Sequence, residues 1–164
     1  MSMTFEALND LFTYELQVIL DAEYQIAEAL PKMIDAASLP YLKNKFNDQL
    51  TQTQEQITRL EKAFNLLGIP PTRIRCEAIA GLLKDSDTLV QAEGNPAAID
   101  AGLISTAQKG EHYLISAYGT LRTFARTLGR KDVADLLKTT LREEAKADEL
   151  LTTIAEASIN KKAA

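Results

Sequence analysis

Three features of the 164-residue sequence predict an all-α fold built as a bundle of four long helices. Composition is the first: strong helix formers (Ala, Leu, Glu, Lys, Gln) dominate, against seven Gly, five Pro and no Trp. Second, apolar residues recur with the 3.6-residue period through four long segments, the pattern of helices with one buried face. Third, sharp break signals separate those segments, at Ser38-Leu39-Pro40, Gly68-Ile69-Pro70-Pro71, Glu93-Gly94-Asn95-Pro96 and Leu128-Gly129-Arg130.

The first helix is expected from about Thr4 to 37, with Thr4 as N-cap and Glu6 in the first turn. Its stripe runs Leu8, Leu11/Phe12, Leu16/Ile19, Ala22, Ile26, Leu30 and Met33, with Pro31 a late interruption. Ser38 caps the second helix, about 40–67, and Pro40 lies in its tolerated first turn. A short helix, about 75–91, sits inside the long connection that follows. Asn95 as cap and Pro96 at the first helical position open the third helix, about 96–127. Gly129 suits the turn after it, and the fourth helix runs about 131–158. Residues 1–160 thus read as one four-helix domain, with 161–164 a solvated tail. Two tight hairpins joined by one long crossover make the ferritin-like topology.

Charge and composition narrow the function. A net charge of −5 and an acidic isoelectric point leave no basic stripe for nucleic acid. No window approaches eighteen uninterrupted apolar residues, and no signal peptide is visible, so a cytoplasmic protein without membrane attachment is expected. The single cysteine, Cys76, excludes an internal disulfide framework and reads as a small half-buried residue.

The functional signal is a set of carboxylates on apolar stripes. Glu111 lies between Ala107 and Leu114/Ile115, Glu144 lies on the fourth helix's stripe with Asp148 at its edge, and Glu23 lies close to the first. A buried carboxylate costs several kcal/mol unless it is paired, protonated or bound to metal. Counting from the turns at ~1.5 Å per residue puts all of these near mid-bundle. Gln49, Gln52 and Gln56 share a flank of the second helix at that level, and Lys and Arg fall mostly on the polar faces. Glu23, Glu111, Glu144 and Asp148, with Gln52 and Gln56, are therefore the candidate ligands of a hard cation such as iron, manganese or magnesium. The competing reading has core acids that are merely hydrogen-bonded. Glu15 falls two turns from the site, Asp21 points aside, His112 is off the stripe by more than about 90°, and Tyr113 and Tyr118 read as packing residues.

With these residues in view, the chain resembles the YciF/YciE-like family of bacterial ferritin-like stress proteins, along nearly its whole length. The carriers include Asp21-Ala22-Glu23-Tyr24-Gln25, Cys76-Glu77-Ala78-Ile79-Ala80-Gly81-Leu82, Gly110-Glu111-His112-Tyr113 and Glu143-Glu144-Ala145-Lys146-Ala147-Asp148. The resemblance implies a rubrerythrin-like bundle that forms a homodimer and holds a di-metal centre. Where relatives read His-Leu-Glu-Glu-Thr, this chain has Gln49-Leu50-Thr51-Gln52-Thr53, and Leu114 replaces a frequent Glu. The expectation is therefore a depleted site for one or two iron or manganese ions, or a metal-free dimer that acts through partners. Substrate and turnover are left open, as is a small-molecule pocket at mid-bundle.

Overall fold

The computed structural model describes residues 3–164. Its helices are α1 (Leu8–Ala36), α2 (Pro40–Leu67), α3 (Glu77–Val90), α4 (Pro96–Thr127), α5 (Lys131–Ile154) and a last turn, α6 (Asn160–Ala163). The backbone widens into a π-helix over Ala155–Ile159, which sets Ile159 into the core. The C-terminus stays helical through Ala163, with Lys161 and Lys162 exposed.

Four long helices close a ring. α1 packs on α2, α2 on α5, α5 on α4 and α4 on α1, while α3 lies over the groove between α1 and α4. The core they enclose is led by Phe12, Leu16, Phe46, Phe64, Leu103 and Leu121, all essentially fully buried. α1 runs through Pro31 without a break, with the ring exposed. Its start is later than Thr4. Asp10 accepts from the N–H groups of Glu6 and Ala7, both at 3.0 Å, and fixes the first turn at Leu8.

Three of the remaining ends follow local chemistry. Asn95 Oδ1 accepts from the Ala97 N–H at 3.0 Å, so α4 opens on its own cap. Gly68 and Gly129, at φ 70° and 72°, end α2 and the α4–α5 turn in the left-handed conformation that glycine adopts without strain. The start of α2 differs from expectation. Leu39 is the N-cap, and the acceptor comes from another helix: Asp100 of α4 takes the Ser38 N–H (2.7 Å), the Ser38 hydroxyl (2.7 Å) and the Leu39 N–H (3.0 Å). A buried aspartate thus ties the two hairpins together at one end of the bundle.

The crossover is anchored the same way. Asp21, on α1, accepts from the Cys76 N–H at 2.8 Å, from Gln25 at 2.6 Å and from the Arg73 guanidinium at 2.9 Å. Arg73 also stacks on the Tyr24 ring at 4.4 Å. Burial opposes the charge on Asp21, but these donors outweigh it and hold the carboxyl below its usual range. Asp21 is therefore buried beneath the crossover and does not point aside. Cys76 is likewise fully buried, its thiol 3.1 Å from the Tyr113 hydroxyl.

Candidate carboxylate centre

Halfway along the ring, three helices each turn a glutamate inward: Glu23 from α1, Glu111 from α4 and Glu144 from α5, all nearly without exposure. The same apolar periodicity that buries Leu16, Leu114 and Leu151 carries them there. α2 answers with amides. The Gln49 side-chain N–H donates to Glu111 Oε1, and the Gln56 N–H donates to Glu144 Oε1 and, at 3.1 Å, to Glu143. Gln49 and Gln56 are two turns apart on one face of α2, which explains why each meets a different acid.

A phenol completes the centre. Tyr118, two turns after Glu111 on α4, is fully buried and donates to Glu23 Oε1 at 2.6 Å. Tyr118 therefore belongs to the centre, a role its stripe position alone did not reveal. Around the rim, Arg59 of α2 grips Glu143 with two bonds of 2.8 and 2.9 Å and reaches Thr140 at 2.8 Å. Lys45, buried one turn before Gln49, places a positive charge near Glu111 and Glu144. Basic residues thus come closer to the acids than the helix pattern suggested.

Protonation follows from this environment. Burial raises all three glutamates above the usual carboxylate range. The negative charge of Glu144 adds to burial in raising Glu111, while the Gln56 amide and the Lys45 charge offset part of the effect of burial on Glu144. The negative charge of Glu144 adds to burial in raising Glu23. Tyr118 is held firmly as a phenol by burial and by Glu23. Three buried oxygens have no hydrogen-bond partner among the described residues: Glu23 Oε2, Gln49 Oε1 and Glu111 Oε2.

Two residues expected in the group lie elsewhere. Asp148 faces the α4–α5 flank, 3.3 Å from His112 Nε2 and 3.2 Å from Gln108 Nε2, because its position one turn beyond Glu144 rotates it off the core. Gln52 is only half-buried; the turn between Gln49 and Gln56 carries it sideways. His112 is mostly exposed, and Glu15 is half-buried beside Tyr113, away from the centre. Among the described residues, no three of Asp, Glu, His and Cys form a group that could hold a metal ion. A small cavity of about 30 Å³ between α1, α3 and α4 reaches the centre, walled by Leu30, Met33, Leu83 and Leu114 and ending at Gln49 and Glu111. No described helix is long and apolar enough to cross a membrane.

The family described as "Domain of unknown function (DUF892)" matches residues 7–164. The chain belongs to that family. YciF of Escherichia coli K12 is 36% identical over 162 residues, 98% of each chain. The crystal structure of that E. coli stress protein matches with a TM-score of 0.91, at 36% identity, over 96% of this chain and 99% of the other. YcfI from Rhodopseudomonas palustris matches with a TM-score of 0.89 at 39% identity, over 93% and 98%. Ferritin-like, diiron-carboxylate proteins of Bacillus anthracis match at 0.68 with 18% identity, over 92% and 99%. That last likeness is one of fold. The bundle is ferritin-like, and the likeness to E. coli YciF covers nearly the whole chain.

Proposed function

We propose that this chain is a stress-response member of its family whose centre is closed by protons and amide hydrogen bonds in place of a pair of metal ions. It then acts through its fold and surfaces, not through redox chemistry. One observation carries the reading: amide N–H groups of Gln49 and Gln56 occupy the oxygens of Glu111 and Glu144 that would otherwise face a cation. Two-metal carboxylate centres draw four carboxylates and two imidazoles from four helices. Here α2 contributes neither, and the sole histidine pairs with Asp148 on the surface. The residues present do not fit such a centre. The stress assignment is supported by YciF, which is described as a stress protein. Association of two copies, as the family resemblance implies, belongs to the same proposal.

A second reading rests on the three unpartnered oxygens of Glu23, Gln49 and Glu111. All are acceptors, drawn from α1, α2 and α4, and acceptors without donors suit one hard cation such as Mn(II) or Fe(II). Elemental analysis of protein purified without chelator, followed by melting with and without added Mn(II) or Fe(II), separates the two. The first reading expects metal far below one ion per chain and no shift in melting. Near-stoichiometric metal that is lost in a Glu111→Ala/Glu144→Ala variant would establish the second and overturn the first.

A further inference from the structure

At the α4–α5 turn, far along the bundle from the acids, an open cavity of about 490 Å³ is bordered by Arg122, Arg126, Lys131 and Lys138. The one acid on its wall is Asp135, which Lys131 pairs at 2.5 Å. Arg122 and Arg126 stand one turn apart on α4, and Lys131 and Lys138 two turns apart on the antiparallel α5. Asp135 is held below its usual range by Lys131 first, with Lys138 and Arg122 adding their charge. Among the described residues, Arg122, Arg126 and Lys138 make no side-chain hydrogen bond and no ion pair, whereas Arg59, Arg73, Arg75 and Arg130 each hold a carboxylate. The chain carries a net charge of −5, yet three cations without a partner among the described residues border this one cavity.

The geometry points to a binding site for a compact polyphosphate-type anion, of which inorganic pyrophosphate is the simplest. Guanidinium groups present two parallel N–H donors that match phosphate oxygens, and lysines add point charges that neutralise a second phosphate. The remaining wall is Gly129 and Ala134, with no aromatic ring to stack a base, so the phosphates and not a nucleoside carry recognition. A concave cavity of this volume suits a small ligand. This site is independent of the carboxylate centre, and neither needs the other.

Calorimetric titration of the full chain with pyrophosphate at low ionic strength tests it. One site per chain is expected, weakened at least tenfold by Arg122→Gln/Arg126→Gln and several-fold by Lys138→Gln, with far-UV circular dichroism unchanged. Lys161→Gln/Lys162→Gln, a charge change of the same size outside this pocket, should leave the affinity as it was. ADP should bind no more tightly than pyrophosphate. Absence of binding, equal binding in the double-arginine variant, equal binding of sulfate, or preference for a duplex DNA fragment over pyrophosphate would each overturn the assignment.

Discussion

Two sets of buried acids in this bundle have opposite fates. Asp21 is buried but surrounded by donors: a backbone N–H, an amide and a guanidinium. Glu23, Glu111 and Glu144 are buried at least as deeply, yet each has a single strong neutral donor and another carboxylate nearby. Its surroundings favour the charged form of Asp21, which fastens the crossover to α1; those of the three glutamates favour the protonated form at the bundle's middle. Burial is common to both, so donor supply decides the charge.

The largest effect should come from removing the anchoring aspartates, Asp21 and Asp100. Asp21→Ala leaves the Cys76 N–H and Arg73 without their acceptor and should destabilise the fold by about 3 kcal/mol, read by urea unfolding. Asp100→Ala, which strips three donors at the α2 start, should follow at roughly 2 kcal/mol in the same assay. A loss under about 0.5 kcal/mol at both positions would mean the donors find other partners.

Acidity separates the two sets by sign. Asp21 has a depressed folded-state value, so its contribution is present above the ordinary aspartate pKa and fades as pH falls through the folded one. The three glutamates have raised folded-state values. Their contribution is full below the ordinary glutamate pKa and is lost as pH rises toward the folded values. The melting temperature should therefore decline from mildly acidic to alkaline pH. Glu111→Gln, which cannot ionise, should flatten that decline and raise melting at pH 8 by about 2–4 °C per kcal/mol recovered, with little change at pH 5. Smaller still, Tyr118→Phe removes one buried bond to Glu23 and should lower stability by about 1–2 kcal/mol. His112→Ala breaks only an exposed pair and should move stability by less than about 0.5 kcal/mol.

How much of this was legible in the sequence depends on where each partner lies. Glu23, Glu111 and Glu144 stood out because each replaces a hydrophobe on a periodic stripe, and periodicity survives folding. Asp148 and Gln52 were misplaced because one turn, or three residues, shifts a side chain by tens of degrees, and a helix wheel has no finer resolution. Gln49 shares the flank of Gln56, and its i, i+7 spacing was the signal that could have ranked it above Gln52. Asp21 and Asp100 were not readable as anchors. The backbone donors that make them anchors lie 55 and 62 residues away, so the local sequence does not announce them. Lys45 and Tyr118 were hidden for a related reason, since what each faces is set by another helix.

The most direct test of the central claim is a side-chain carboxyl carbon-13 NMR titration of the metal-free chain across pH 4 to 8, with Glu111→Gln and Glu144→Gln to assign the signals. The account predicts that the Glu111–Glu144 pair still carries a proton at neutral pH, with resonances that stay in place while the exposed acids titrate. Carboxyls at 111 and 144 that both ionise alongside the exposed glutamates would contradict it.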